Sequence, residues 1–385
     1  MSAQEAEAGE AAVPPREDLF DPRPIALVGA GRLGGQTAVL ISELTGVPLR
    51  VIDRDPAALA RLRDRLPKAE LVTADLSTPD GAAHAVEGAR LVVVTAGPEA
   101  IPAVALAQAA LRVGAHFLDA QFSLPIKLKG MAELANRVSQ ANLTFITDGG
   151  ARPGLAALMG RWAAARMDRV ERLTVALALS AGEDLSTLGG DRVREHLLLA
   201  RKGNPRTLSE RRWSRLQSRY FPIFRLPEPF GKRVGYPVFL GELRGLRDRL
   251  PVLHECGFYL CGFGPWADYW AVPIAQALDK IGVRTLSESL LARALTRPGS
   301  QAGILVALEV EGSRDGWSTK GTLTLSHGDP DHLPAACLAA CVAQMLDPKA
   351  DRGVQHQGLF CEPDRFLADL ATLGIAADQA WDRTG

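Results

Sequence analysis

Gly29, Gly31 and Gly34, in the run Gly29-Ala30-Gly31-Arg32-Leu33-Gly34, have the spacing of a turn that receives a diphosphate. Each glycine has its own task. Gly29 permits a tight turn, Gly31 leaves room for phosphate oxygens beside the backbone, and Gly34 lets a following helix lie close to the preceding strand. The N–H groups over Gly31 to Gly35, those of Arg32 and Leu33 among them, then point at the anion from the positive end of that helix. The context is the one this chemistry requires. Ile25-Ala26-Leu27-Val28 is a short apolar run that predicts a buried strand, and Leu33, Thr37, Leu40, Ile41 and Leu44 recur at helical spacing after it.

An acid belongs about twenty residues beyond such a turn, where it accepts the ribose hydroxyls of an adenine dinucleotide. Asp53, at the end of the second predicted strand, fills that place. Its charge repels a 2′-phosphate and leans toward NAD, whereas Arg54 beside it suits the phosphate of NADP, so both coenzymes stay open. Asp75 falls near the adenine edge. Ala96-Gly97-Pro98 follows the fourth strand, at the ribose and nicotinamide end.

Three residues are candidates for acid–base or substrate-binding work. Asp119 ends the fifth strand, where side chains face the crevice beyond the sheet, and is the first candidate for moving a proton or holding an amine. Arg152 lies in the turn Asp148-Gly149-Gly150-Ala151-Arg152-Pro153-Gly154 and has the fork that grips a carboxylate. Asp148, at the head of that turn, reads as a helix cap. His254 precedes an apolar segment and titrates near neutral pH. Trp266, Tyr269 and Trp270 read as core or as an aromatic wall. No nucleophile-elbow context and no cluster with metal-ligand spacing is present, so neither a hydrolase triad nor a metal is expected.

The elements that must position these residues follow from the pattern. Six short apolar strands alternate with helices up to about residue 148, which predicts a doubly wound parallel sheet. Beyond Gly154 the rhythm changes. A longer strand covers Val170–Leu179, another Cys256–Phe263, and 304–311 with 318–326 form a hairpin, which predicts an α+β domain with an antiparallel sheet. Helices follow over 333–345 and 363–373. The expected division is a mobile tail at 1–20, a Rossmann domain at 21–150, an α+β substrate and dimerisation domain at 151–330, and C-terminal helices at 331–385, whose packing on the first domain the sequence leaves open. Arg211, Arg212, Arg215 and Arg219 read as the wet face of a helix.

The totals agree with a globular enzyme. The chain has 385 residues, 47% of them hydrophobic, more than one core usually serves. Lys+Arg is 44 and Asp+Glu is 44, so no charge excess points to nucleic acid or an anionic membrane. Five cysteines, no secretory signal and no long apolar run lead to the expectation of a reducing, cytoplasmic setting.

Gly29 to Gly34, Asp53-Arg54, Ala96-Gly97-Pro98, Gly114-Ala115-His116-Phe117-Leu118-Asp119 and the Asp148–Leu155 turn resemble the saccharopine dehydrogenase-like family. The resemblance is strong over the first 155 residues, thin between Gly182 and Gly299, and returns at Gly358-Leu359-Phe360-Cys361-Glu362-Pro363. It implies a Rossmann domain joined to a catalytic and dimerisation domain, a homodimer, a small-molecule substrate, and hydride transfer between nicotinamide and an imine or secondary amine. Two other expectations stand beside it: a cofactor-binding partner or sensor without turnover, and a reductase of an activated alkene in a lipid-like substrate.

Overall fold

The computed structural model describes residues 21–76, 78–98, 100–122, 124–181, 205–217, 220–261, 270–295 and 301–383. The tail at 1–20, together with Trp266 and Tyr269, lies outside them.

Short apolar runs build the first sheet. β1 (Ile25–Val28), β4 (Leu91–Val94) and β6 (Thr144–Thr147) are buried at every position, as strands covered on both faces must be. With β2 (Leu49–Asp53), β3 (Glu70–Thr73), β5 (His116–Asp119) and β15 (Gly353–His356) they form a seven-stranded sheet in the order β15-β6-β5-β4-β1-β2-β3. All of its pairings are parallel. Helices α1 (Arg32–Thr45), α2 (Pro56–Ala60), α3 (Pro79–Ala85), α4 (Ala103–Val113) and α5 (Pro125–Gln140) make the crossovers. Asp55 and Thr78 cap α2 and α3 ahead of a first-turn proline, while Gly46 and Gly114 end α1 and α4 in the left-handed region.

The six expected strands are joined by a seventh. β15 comes from the C-terminal part of the chain and pairs Gly353 with Thr144 and His356 with Thr147. The C-terminal region also supplies α10 (His332–Met345), which packs on α1. Eleven residues of α10 are buried, from Leu333 to Met345, because α1, α12 (Pro363–Thr372) and the second sheet cover it on several sides.

The second domain is a nine-stranded sheet. Its main path is β10 (Ile223–Arg225), β11 (Lys232–Val238), β12 (Glu255–Cys261), β7 (Arg169–Ala181), β13 (Ala302–Arg314), β14 (Trp317–His327) and β16 (Ala376–Arg383). The expected hairpin is the pair β13–β14, in register from Ile304↔His327 to Arg314↔Trp317. The sheet is mixed, because β7 and β12 run parallel. α6 (Ala156–Ala164) precedes β7 and packs on β7, on β13 and on α7 (Gly241–Arg249), the helix that leads into β12. Helices α8 (Val272–Lys280) and α9 (Arg284–Leu295) pack on each other.

Arg211, Arg212 and Arg215 do not lie on a helix. They belong to a hairpin of β8 (Arg206–Ser209) and β9 (Arg212–Arg215), whose loop residues Glu210 and Arg211 both take positive φ. Among the described residues, no helix is long and apolar enough to cross a membrane, and no group of His, Cys, Asp and Glu could hold a metal.

Candidate functional site

The loop after β1 is shaped by what its glycines lack. Gly29 has φ +105°, and a Cβ there would stand 2.7 Å from the Ala96 nitrogen. A Cβ on Gly34 would stand 1.8 Å from the Gly29 oxygen and 2.5 Å from Thr95 Oγ1. A Cβ on Gly31 would meet nothing within 4 Å. The first and third glycines therefore serve packing, and the second borders open space. Gly31 is also the N-cap of α1. No side chain caps this helix, and no acid occupies its first turn. An uncapped helix mouth facing open space beside a Cβ-free backbone fits a diphosphate.

Asp53 supports this loop directly. Its Oδ2 accepts from the Ala30 N–H at 2.5 Å, and its Oδ1 accepts from the Asp55 N–H at 2.9 Å. Arg54 is exposed and has no ion-pair partner among the described residues. Asp75 lies exposed beyond β3, and Gly97 and Pro98 lie exposed beyond β4, along the same carboxyl edge of the sheet. Thr95 donates to the Val28 and Gly29 carbonyls and fixes the β4 loop against the glycine loop. Gln121 holds that loop from beneath, donating to Ala96 O and Ile101 O. Arg32 turns away, its Nε 3.0 Å from Asp331 Oδ2 at the head of α10. Leu33 packs partly buried against the main core.

Three neighbouring strands end in ionisable side chains. Asp119 closes β5, Asp148 follows β6 and His356 closes β15. Lys127, from the first turns of α5, stands among them. Its Nζ is 2.5 Å from Asp119 Oδ1 and 3.5 Å from Asp148 Oδ1, and it also donates to the Gln121 carbonyl. Asp148 Oδ2 is 2.9 Å from His356 Nδ1. Burial pushes the Asp119 carboxyl above its usual range, against the pull of Lys127. Burial also opposes the charge on His356, but the carboxylates of Asp148 and Glu242 outweigh it and raise the imidazole above its ordinary value.

The turn after Asp148 explains why these groups meet. Asp148 sits at φ +61°, Gly150 at +105° and Gly154 at +118°. Gln357, fully buried, acts like a neighbouring strand, donating to Gly150 O and accepting from Gly150 N, both at 2.9 Å. Glu242, from the first turn of α7, holds the end of the turn just ahead of α6 by accepting from the Gly154 N–H at 3.1 Å. Its own burial pushes its carboxyl up to about 7. An acid raised on folding binds its proton more tightly in the folded state, so its contribution to stability falls as pH rises from about 4.5 to about 7. A shift of that size corresponds to about 3 kcal/mol across the window. Glu242→Gln keeps the acceptor and removes the titration. Urea unfolding at pH 5 and pH 8 should therefore show a smaller loss of stability with rising pH in the variant than in the parent.

Of the three sequence candidates, Asp119 stands in this row, but buried beneath its surface. Arg152 lies half-buried in the turn that leaves it. His254 is not brought here. It precedes β12, beyond the far end of α7 from Glu242, and lines a surface cleft of about 390 Å³ with Glu171, Arg172, Glu311, Ser318 and Lys320. Three members of the row have little signal in the sequence. Lys127 resembles its exposed neighbour Lys129, Glu242 sits in a charge-rich helix, and His356 is marked only by preceding the closing segment.

Residues 25–146 match the family model described as saccharopine dehydrogenase NADP binding domain. No curated protein sequence matches the chain. Among solved structures, the chain is similar to the apo, histidine-tagged saccharopine dehydrogenase (L-Glu forming) from Saccharomyces cerevisiae. The identity is 11%, the coverage 94% of this chain and 100% of that one, and the TM-score 0.68. GenD2 from gentamicin A biosynthesis, in complex with NAD, gives 14% identity, coverage of 97% and 99%, and a TM-score of 0.45. A putative myo-inositol dehydrogenase from Sinorhizobium meliloti 1021 gives 13% identity, coverage of 91% and 95%, and a TM-score of 0.43.

Proposed function

We propose that this saccharopine dehydrogenase-like chain is an NAD(P)-dependent oxidoreductase acting on an imine, a secondary amine or a related amino-acid-derived substrate. The observation that carries the reading is Gly31, whose missing side chain opens onto empty space at the uncapped mouth of α1. The bound nicotinamide supplies or accepts the hydride. Everything else falls to the protein: Gly31 to Gly35 hold the diphosphate, Asp53 and Arg54 receive the adenosine ribose, and Ala96-Gly97-Pro98 border the inner ribose. Asp119 sets the charge of the row at the strand ends, and Arg152 offers its guanidinium to a substrate carboxylate. Imines and amino acids suit such a place, because their nitrogen changes protonation as its carbon changes oxidation state.

Two features favour NADP over the NAD to which the ribose-acid rule leans. Both Asp53 oxygens already accept backbone N–H groups, and Arg54 has its guanidinium free of any described carboxylate. Arg54→Ala is expected to weaken NADPH binding about tenfold to a hundredfold, the worth of a charge-assisted contact, and to change NADH binding by less than about threefold. Titrating reduced-nicotinamide fluorescence with parent and variant measures both. Turnover is tested by following loss of reduced-nicotinamide absorbance with a panel of ketoacid–amine mixtures. A parent that binds neither coenzyme refutes the proposal.

A further inference from the structure

The row at the strand ends contains one group with appreciable exposure to solvent. Side-chain exposure is 0% for Asp119, 7% for Lys127, 1% for Asp148 and 20% for His356. His356 closes β15, the strand beside β6, so it stands at the carboxyl edge of the sheet, where ligands of parallel α/β sheets bind. Its Nδ1 faces Asp148 at ion-pair distance, 2.9 Å from Oδ2. The opposite side of the ring borders Gly241. A Cβ on Gly241 would come within 3.2 Å of Cε1 and 3.3 Å of Nε2, so the glycine keeps that side uncrowded.

The charges explain why a proton belongs there. Lys127 supplies one positive charge to two carboxylates, those of Asp119 and Asp148. A protonated His356 supplies the second and makes the four groups neutral together. The charged groups that face it are Asp148 from the end of β6, Glu242 from α7 and Lys127 from α5. An imidazole held by a carboxylate on one nitrogen and open on the other is the arrangement used to pass single protons to a substrate.

From this geometry we infer that His356, positioned by Asp148, is the acid–base group of the proposed reaction. The inference rests on the oxidoreductase reading. In the reducing direction, hydride adds to the imine carbon and the C=N pair moves to nitrogen. Nitrogen takes the proton from His356 Nε2, the N–H pair stays on the ring, and solvent returns a proton through the exposed edge. In the oxidising direction His356 takes the proton from the amine.

Two measurements test this. The first needs no substrate. Ring signals of the seven histidines are followed against pH by NMR, and that of His356 is identified by its loss in His356→Asn. It is expected to titrate above the ordinary histidine value in the parent and at least about one pH unit lower in Asp148→Asn, since a neighbouring carboxylate favours the charged form. Asparagine tolerates the left-handed backbone at 148, so that substitution adds no backbone strain. The second is turnover. His356→Asn is expected to bind NADPH as the parent does, to lose about a hundredfold or more in kcat, and to lose the corresponding limb of the pH profile. A His356 signal indifferent to Asp148→Asn, or a His356→Asn variant with parental kcat and pH profile, overturns the inference and leaves the oxidoreductase reading standing. A parent that binds no coenzyme or turns over nothing removes both.

Discussion

Gly31→Ala is expected to fold as the parent does and to lose nicotinamide-nucleotide binding, whereas Gly34→Ala is expected to damage the fold itself. The two glycines are three residues apart and look alike in the motif, but their surroundings differ. A methyl at Gly31 meets no protein atom within 4 Å, and the backbone φ of −63° is one that alanine adopts freely. The loss of stability should be about 1 kcal/mol, the difference between a good and a poor helix N-cap. The same methyl fills the space that diphosphate oxygens need to reach the N–H groups of α1. Losing those charge-assisted contacts weakens binding by about 3 kcal/mol or more, a hundredfold in affinity. At Gly34 the methyl would overlap the Gly29 carbonyl oxygen, a backbone atom that cannot swing aside. The helix must back away from β1, with a loss of about 3 kcal/mol, the upper range for overpacking. Thermal melts with and without NADPH separate the cases. The parent melt should rise with NADPH, the Gly31→Ala melt should not, and the Gly34→Ala melt should begin well below both. A Gly31→Ala variant that NADPH still stabilises would show that the diphosphate does not lie over this residue.

How much of this was readable beforehand depended on how locally each feature is encoded. The first βαβ unit is written in consecutive residues. The apolar run before Gly29, the helical spacing after Gly34 and the acid at 53 are each recognisable within a short window. The hairpin of β13 and β14 was legible for the same reason. β15 was not, because four residues, Gly353-Val354-Gln355-His356, carry no periodicity and join the sheet only through Thr144–Thr147, some two hundred residues earlier. β16 is exposed along nearly its whole length, and it is held by the β14 edge and by Trp381 stacking on Trp162 at 5.7 Å. The β8–β9 hairpin hid for a different reason. Its two turn residues, Glu210 and Arg211, adopt the positive φ that hairpin rules reserve for asparagine and glycine, so the arginines around them read as a helix face. The site divides in the same way. Its phosphate-binding half lies in one stretch, and its ionisable half is assembled from α5, the ends of β5, β6 and β15, and α7. Nothing short of the tertiary fold places Lys127, Glu242 and His356 together.

Among the described residues, Lys127 is the one cation set between Asp119 and Asp148, which leads to the second large effect. Lys127→Met preserves much of the volume and helix preference but leaves Asp119 and Asp148 without their shared cation. Both carboxylates are essentially out of contact with water, and Asp119 Oδ2 accepts no hydrogen bond among the described residues. Removing one member of a buried ion group is expected to reduce stability by about 3–5 kcal/mol at neutral pH, because His356 balances only one of the two carboxylates left behind. The sign of the pH dependence follows. Without the lysine, the Asp119 carboxyl, already raised by burial, is raised further in the folded state, so the folded protein binds more protons than the unfolded chain and its stability falls as pH rises. The deficit should therefore be largest at pH 7 and above and should shrink toward pH 4, as the carboxyls of the folded state take up protons. Lost packing alone would give a deficit independent of pH. A second variant sharpens the distinction: Lys127→Met combined with Asp119→Asn removes a negative charge along with the positive one and should regain a substantial part of the loss at pH 8. Denaturant unfolding of the parent, the single variant and the double variant at pH 4 and pH 8 decides between the two accounts. A double variant no better than the single one would mean that Lys127 is held for its shape and its bond to the Gln121 carbonyl, with the charge of the row balanced by other groups.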